Sequence, residues 1–146
     1  PMIMSGYYKN PEATLEAMID GWIRSGDLGM RDDAGHLFLV GRKKDLIIRG
    51  GANVYPVEIE EVLYSHPDVV ECAVIGLPDA VFGERVKAFV VRRTEELSEG
   101  QLLSHCRRLM AEYKLPSEIE FIAEFPKGPT GKILRRELRD LSVARN

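Results

Sequence analysis

Two valine-rich runs in the middle of this chain constrain its fold more than any other feature. They occupy residues 69–75 and 86–91, and the loop predicted between them spans residues 76–80. Valine carries a branched β-carbon, which suits the pleated surface of a sheet better than the crowded surface of a helix. We therefore expect two neighbouring strands, with a further short strand at residues 119–122, in one small sheet.

Helical patterns lie on both sides of these runs. Pro56 suits the first turn of a helix, and Ile59 and Leu63 are spaced to share one buried face. Ser98 and Gln101 have the spacing of a capping box, so a second helix is expected to begin there. With a third helix predicted from the leucines near the C-terminus, the fold class is α+β: a small sheet covered by about three helices.

A tight hairpin is predicted just before the first of these helices. The segments Leu46-Ile47-Ile48 and Asn53-Val54-Tyr55 flank the sequence Arg49-Gly50-Gly51-Ala52. Two adjacent glycines are typical of a two-residue turn whose central residues both need positive φ. The sequence therefore places Gly50 and Gly51 at the tip of a β-hairpin.

The first forty residues predict a short helix followed by another hairpin. Asn10 can cap the helix and Pro11 can occupy its first position, with an apolar face that reaches Ile19. A cluster of turn-forming residues at 32–35 then separates two predicted strands. We expect Trp22 to lie in the core.

Charge and cysteine content narrow the class of protein. A formal net charge of −3 argues against a dedicated nucleic-acid binder, which would carry a basic excess. Cys72 and Cys106 lie in apolar periodic segments, so we expect buried thiols and a reducing compartment, the cytoplasm. No apolar run approaches the roughly 18 residues of a membrane helix, and no signal-peptide layout is present.

Two further expectations concern the chain's extent and metals. The sequence opens on Pro1 within what reads as a strand already under way, which predicts that the chain is a piece of a longer protein. His36, His66 and His105 lack metal-ligand spacing, so no metal site is predicted in this chain.

Three short motifs carry the chemistry. They are GWIRSGDLG at residues 21–29, GRKKDLIIRGG at 41–51 and PKGPTGKILR at 126–135. In the last motif, two glycines and a proline constrain a loop so that Lys132 projects just before an amphipathic helix. The basic residues Arg135, Arg136 and Arg139 are expected on the solvated side of that helix.

A phosphate-binding loop of the Walker type is a possible alternative for the third motif, because it ends in Gly131-Lys132. That motif requires glycine where Pro126 stands, and a hydroxyl residue where Ile133 stands. The Walker interpretation therefore fails at both ends.

In their order and separation the three motifs resemble the C-terminal part of the adenylate-forming enzymes: acyl-CoA synthetases, adenylation domains of peptide synthetases, and firefly luciferase. The resemblance runs from about residue 6 to residue 138. It implies that residues 1–42 are the end of a large N-terminal AMP-binding domain. Residues 43–146 would then be the small, mobile C-terminal domain.

The resemblance also implies roles for the charged residues. Lys132 would be the catalytic residue, contacting the acyl carboxylate and the α-phosphate during adenylate formation. Asp27 would bind the ribose hydroxyls and Arg42 the same ribose or its phosphate. Taken without the resemblance, Asp27 is a turn or capping residue, Arg42 a partner in a surface ion pair, and Lys132 a solvated lysine.

The second motif would serve a different step. Lys44 matches the hinge about which the small domain rotates, although by itself it would be a solvated charge. Gly50 and Gly51 would line the path of the coenzyme A arm, where a side chain would obstruct it; a simple hairpin turn would need the same glycines. Arg49 departs from the common small residue and could pair with a CoA phosphate.

The resemblance thus implies a fragment of an ATP-dependent acid:CoA ligase, for a fatty or aromatic acid. Its partners would be the carboxylic acid, ATP or AMP, coenzyme A and the missing N-terminal domain, with magnesium held by residues outside this chain. The fragment alone would be inactive, and its exposed docking surface could cause self-association. A non-catalytic nucleotide-, CoA- or protein-binding module and a piece of a peptide-synthetase adenylation domain stay open as alternatives.

Overall fold

A computed structural model describes residues 3–144 of the chain. The chain divides into two compact units, Pro1–Lys44 and Asp45–Asn146. The first motif lies in the first unit and the third motif lies in the second unit. The middle motif crosses the boundary between the units in the sequence.

The first unit holds one short helix and two small hairpins. Its elements are α1 (Pro11–Ala17), β1 (Met18–Ile19), β2 (Trp22–Ile23), β3 (Asp27–Arg31) and β4 (Leu37–Arg42). Strands β1 and β2 pair with each other, as do β3 and β4, and both pairs are antiparallel.

The sequence predicted the start of α1 correctly and its end too late. The side chain of Asn10 caps the helix by accepting a hydrogen bond from the Ala13 N–H at 3.0 Å, and Pro11 occupies the first turn. The expected apolar face is wrong, because the helix ends at Ala17 and Ile19 belongs to β1. The expectation that Trp22 lies in the core is also wrong, since 75% of this residue is exposed.

The second unit contains the predicted sheet and three helices. Its elements are β5 (Ile47–Arg49), β6 (Ala52–Val54), α2 (Pro56–Tyr64), β7 (Val69–Asp79), β8 (Gly83–Arg92), α3 (Glu99–Leu109), β9 (Glu118–Phe121) and α4 (Arg135–Ala144). Strand β8 is central: it pairs antiparallel with β7 along its length and with β5 at its start, and parallel with β9.

Each face of this sheet has its own apolar core. Alternate residues of β7 point to opposite faces, so that Val74 joins one core and Ile75 the other. The first core includes Ile59 of α2 and Leu102 of α3, and the second includes Leu138 of α4. The predicted α+β class, a small sheet covered by three helices, is confirmed.

The loop predicted at residues 76–80 is wrong. Strand β7 runs to Asp79, and β8 begins at Gly83, so the turn comprises three residues. The carboxylate of Asp79 explains this tight turn, because it accepts hydrogen bonds from the N–H groups of Val81 at 2.9 Å and Phe82 at 2.8 Å. These bonds, that of Phe82 first, lower the pKa of Asp79.

Candidate functional site

Residues 126–134, here called the lysine loop, form a small closed turn that presents Lys132. The Gly131 N–H donates to the Gly128 carbonyl at 2.9 Å, and the Gly128 N–H donates to the carbonyl of Lys132 at 2.9 Å. Pro129 takes the second position of this turn, and Gly131 has a φ of +77°, which favours glycine. The loop has the constrained form that the sequence predicted.

Lys132 is exposed and lies three residues before α4, as predicted. Among residues 3–144 its ammonium group has no hydrogen bond or ion pair. The Leu134 N–H donates to the Pro126 carbonyl at 2.8 Å, which closes the base of the loop. A fixed backbone thus carries a cation that is available to a ligand.

Ion pairs hold both ends of the lysine loop. Lys127 pairs with Glu71 of β7 at 2.9 Å, and Nη2 of Arg135 lies 2.7 Å and 2.9 Å from the two carboxylate oxygens of Glu60. The prediction of a solvated basic face is therefore wrong for Arg135. Its partner, Glu60 on α2, is 75 residues away in the sequence. Periodicity within α4 cannot show that such a distant residue lies next to Arg135.

The second candidate region, called here the glycine hairpin, consists of residues 47–54. Strands β5 and β6 pair antiparallel, and Gly50 and Gly51 form the turn with φ values of +57° and +81°. The positive φ values at both glycines agree with the predicted hairpin, and they are typical of a two-residue turn. A Cβ at Gly51 would have no neighbouring atom within 4 Å among residues 3–144, so the space directly beside this backbone is open.

The glycine hairpin is braced from the β7–β8 turn. Oε2 of Glu84 accepts a hydrogen bond from the Ile48 N–H at 2.6 Å, and the Phe82 carbonyl accepts one from the Gly50 N–H at 2.8 Å. Gly76 leaves room for this carboxylate, because a Cβ there would lie only 2.8 Å from Oε1 of Glu84. Local sequence patterns do not predict this role of Glu84, because Ile48 lies 36 residues away in the chain.

Arg49 is held to its own unit. Its Nη1 donates to the carbonyls of Tyr113 and Leu115, each at 3.0 Å, and its guanidinium carbon lies 5.5 Å from the centre of the Phe82 ring. A structural role therefore accounts for this departure from the usual small residue. Only its remaining N–H groups are left to contact an anion.

The first unit holds the residues predicted to bind nucleotide. Asp27 and Arg42 face each other across the β3–β4 pair, with Oδ1 of Asp27 3.3 Å from Nε of Arg42. Ser25 fixes the start of β3, because its hydroxyl accepts a hydrogen bond from the Asp27 N–H at 3.1 Å. An open groove beside Arg42 is also lined by Ser25, Gly26, Lys43 and Lys44.

Lys44 lies where the two units meet in the sequence. The residue before it is held to the first unit, since the Lys43 N–H donates to the Gly26 carbonyl at 2.8 Å. The residue after it, Asp45, is held within the second unit by an ion pair with Arg139 at 3.6 Å. Arg139, like Arg135, was wrongly expected on a solvated face.

The second unit contains a charged cluster of Lys87, Glu118 and Glu120 that the sequence did not predict. Lys87 of β8 is nearly buried, with its ammonium 2.6 Å from Glu118 and 2.8 Å from Glu120 of β9. Burial favours the neutral amine, but the hydrogen bonds to both carboxylates outweigh it and raise the pKa of Lys87. The bond from Lys87 lowers the pKa of Glu118 in turn. Parallel pairing of β8 and β9, invisible in the sequence, brings these charges together.

The two cysteines are free and buried. Burial first, and then the charge of nearby Glu60, raise the pKa of the Cys72 thiol to about 12, so it stays protonated. Burial also raises the pKa of Cys106. Neither thiol has the low pKa of a nucleophile. Within residues 3–144 no three His, Cys, Asp or Glu side chains are grouped as a metal site would require, and no helix has the length and apolar character to cross a bilayer.

Comparison with known proteins agrees with this geometry. The model of the AMP-binding enzyme C-terminal domain family matches residues 58–132, a segment that ends at the exposed lysine. The long-chain-fatty-acid–CoA ligase of Yersinia pestis is 51% identical over 143 residues, which are 98% of this chain and 25% of that enzyme. The sulfoacetate–CoA ligase of Cupriavidus necator is 48% identical and is matched over 27% of its length.

A solved structure extends the similarity to three dimensions. The o-succinylbenzoate CoA synthetase of Bacillus subtilis, in complex with its acyl-adenylate intermediate, superposes with a TM-score of 0.88 at 37% identity. The match covers 94% of this chain and 28% of that protein. The chain thus spans about a quarter of the length of the curated relatives that it matches. The resemblance drawn from the three motifs is confirmed.

Proposed function

Because this chain belongs to the AMP-binding enzyme C-terminal domain family, we propose that it is the C-terminal part of an ATP-dependent acid:CoA ligase. The parent enzyme would join a carboxylic acid to AMP, releasing pyrophosphate, and then transfer the acyl group to the thiol of coenzyme A with release of AMP. The observation that carries this proposal is the exposed Lys132 on its closed loop at the end of the family match.

Lys132 is suited to the first step. When a carboxylate oxygen attacks the α-phosphorus of ATP, negative charge builds on the phosphate oxygens as pyrophosphate leaves. A fixed cation stabilises that charge best when the protein has already oriented it. The hydrogen bonds that close the lysine loop provide this orientation, and the ammonium is free to contact the carboxylate and the α-phosphate.

Asp27 and Arg42 are proposed to bind the nucleotide. A carboxylate can accept hydrogen bonds from both hydroxyls of a ribose, and a guanidinium can donate to the ribose or to its phosphate. Their ion pair at 3.3 Å holds Asp27 next to Arg42, and Arg42 lines the open groove of the first unit. We assign this segment, residues 1–42, to the end of the large N-terminal domain.

Lys44 is proposed as the hinge, near the start of the mobile domain that we assign to residues 43–146 and at the last residue of the first compact unit. Lys43 is held to one unit and Asp45 within the other, so the backbone of Lys44 is where a rotation can be absorbed. Its role would be in its torsion angles rather than in its charge.

The glycine hairpin is proposed to serve the second step by lining the path of the pantetheine arm of coenzyme A. The open space beside Gly51 fits this role, because the backbone there is accessible and no side chain of the unit fills it. The N–H groups of Arg49 that do not bond to Tyr113 and Leu115 would contact a phosphate of coenzyme A. We assign the magnesium ion that accompanies ATP to residues outside this chain.

The acid is proposed to be a fatty acid, because the Yersinia relative is a long-chain-fatty-acid ligase. The Cupriavidus ligase, named for sulfoacetate, is nearly as similar, and the Bacillus subtilis synthetase is named for o-succinylbenzoate, so short polar and aromatic acids belong in the test. Two buried free thiols suit a protein of the reducing cytoplasm.

The proposal is tested by measuring acid-dependent pyrophosphate release from ATP, with and without coenzyme A. The full-length polypeptide that contains this chain is compared with residues 1–146 alone over a panel of fatty, aromatic, sulfonated and amino acids. We expect release only from the full-length enzyme, with a CoA thioester as the product. If no acid supports release, the chain is a non-catalytic binding module; if an aminoacyl adenylate forms but no CoA thioester, it is part of a peptide-synthetase adenylation domain.

A further inference from the structure

The two ion pairs at the ends of the lysine loop differ in their surroundings. Lys127 and Glu71 keep 43% and 27% of their side-chain surfaces exposed. Arg135 and Glu60 keep only 30% and 12%. Exposed pairs contribute little to structure because water screens them, whereas a pair withdrawn from water orders the groups that form it. The Glu60–Arg135 pair is therefore the stronger constraint on the loop.

Glu60 is itself fixed to the sheet. Its Oε1 accepts a hydrogen bond from the Val74 N–H of β7 at 2.8 Å, in addition to the bond from Arg135. Glu60 thus connects helix α2, strand β7 and the start of α4 through one carboxylate. Both oxygens are engaged by Arg135, so rotation of this carboxylate would weaken every bond at once.

Arg135 depends on Glu60 for its orientation. Within residues 3–144 its Nε is buried and has no hydrogen-bond partner, and its side-chain hydrogen bonds run from Nη2 to Glu60. Loss of the Glu60 charge would leave a guanidinium with no counter-ion in a largely dry position. Such a group moves toward water rather than remain unpaired. The start of α4 would move with it.

A shift at Arg135 would reach Lys132 through the backbone. Arg135 is three residues from Lys132. The backbone between these two residues is restrained by the hydrogen bonds from Leu134 to Pro126 and from Gly128 to Lys132. We propose that Glu60 and Arg135 are positioning residues for Lys132: they fix the lysine loop to α2 and β7, so that Lys132 reaches or leaves the reacting phosphate only when the whole second unit moves. This inference rests on the proposed function of Lys132.

The test uses the full-length enzyme and the variant Glu60→Gln, which keeps the shape and an acceptor for Val74 but removes the charge. We expect the rate of adenylate formation to fall about tenfold, as is usual when a group that orients an active residue is altered. Thioester formation from supplied acyl-adenylate should stay within about twofold, because Lys132 acts in the first step. Glu71→Gln is the matched control, because it makes the same substitution in the exposed ion pair with Lys127. It should change neither rate by more than about twofold.

Arg135 supplies two further variants. Arg135→Lys keeps a cation beside Glu60 and should retain more of the adenylation rate than Arg135→Gln. The double variant Glu60→Gln/Arg135→Gln should be no slower than the slower of the two single variants, because residues that act as one unit do not add their effects. Additive losses, or equal loss of both half-reactions in Glu60→Gln, would overturn the positioning role.

A second measurement decides the same point without catalysis. Amide hydrogen exchange of Gly128, Gly131 and Leu134 should be about tenfold faster in Glu60→Gln than in Glu71→Gln, while the amides of β8 stay protected in both. Unchanged exchange in the loop would overturn the inference. Because this readout needs no substrate, it remains decisive even if the wild-type enzyme releases no pyrophosphate, a result that would refute the proposed function alone.

Discussion

The lysine loop and the glycine hairpin belong to the same unit, yet they present opposite kinds of surface. The loop extends the exposed side chain of Lys132 from a backbone closed by its own hydrogen bonds. The hairpin presents bare backbone at Gly51, with open space where a side chain would lie. One region is suited to stabilise charge, and the other to let a narrow chain pass close to the main chain.

The two regions are also held in different ways. The ion pair between Glu60 and Arg135 is the stronger of the two that hold the loop, whereas Glu84 and the carbonyl of Phe82 hold the hairpin through its backbone N–H groups. Both are therefore fixed to one sheet. A movement of either region by itself would break these bonds, whereas the proposed rotation of the entire unit about Lys44 would keep them.

The largest expected effect is that of Lys132→Ala. In the full-length enzyme it should lower the rate of adenylate formation by about 10²–10³-fold, the usual loss when a fixed group that stabilises transition-state charge is removed. Acid-dependent pyrophosphate release measures this rate. Lys127→Ala, in the same loop, is the control, and an equal loss there would show that the loop's general charge matters rather than Lys132.

Gly51→Leu should have the next largest effect. It should slow acyl transfer to coenzyme A at least about tenfold, since a displacement of reacting groups by a single ångström can cost more than that. Thioester formation from supplied acyl-adenylate is the measurement. Gly51→Ala is the matched control, because it carries the same strain at a φ of +81° without the bulk. Equal losses in both variants would mean that the turn, and not the open path, requires glycine.

Glu84→Ala should loosen the hairpin without unfolding the unit. It removes the acceptor of the Ile48 N–H, a loss of about 1 kcal/mol that corresponds to roughly fivefold faster amide exchange at Ile48 and Gly50. The amides of the lysine loop should be unaffected. Glu84→Gln keeps an acceptor and should lie between Glu84→Ala and wild type; exchange that accelerates in both regions together would deny that they are held independently.

The smallest effect concerns pH at the β7–β8 turn. Hydrogen bonds from Phe82 and Val81 lower the pKa of Asp79 from its ordinary value of 3.8, so the carboxylate favours the folded turn above that value. This support is lost as the pH falls through the lowered pKa, when the folded form takes up its proton. The amide resonance of Gly50, which donates to Phe82, should then shift below pH 3.8. In Asp79→Asn this acid-dependent shift should be absent; if it persists, another group is responsible.

The sequence predicted what depends on local patterns. Positive φ at Gly50 and Gly51, the Ser98–Gln101 capping box and the position of Lys132 before α4 all follow from residues close together in the chain. These features are confirmed because turn and cap chemistry acts over three or four residues.

What the sequence did not predict depends on distant partners. Arg135 and Glu60 are 75 residues apart, and Lys87 meets Glu118 only because β9 runs parallel to β8. Periodicity within one helix or strand reports which residues share a face, but not which charge lies opposite. The prediction for Trp22 was wrong for another reason: a large apolar residue in a short hairpin can stay on the surface.

That the lysine loop and the glycine hairpin serve different half-reactions is best tested by measuring both half-reactions on the same preparations of Lys132→Ala and Gly51→Leu in the full-length enzyme. If loop and hairpin serve different steps, Lys132→Ala should lose adenylate formation but still transfer supplied acyl-adenylate to coenzyme A. Gly51→Leu should do the reverse. If each variant loses both half-reactions to the same extent, the two regions do not serve separate steps, and the account is contradicted.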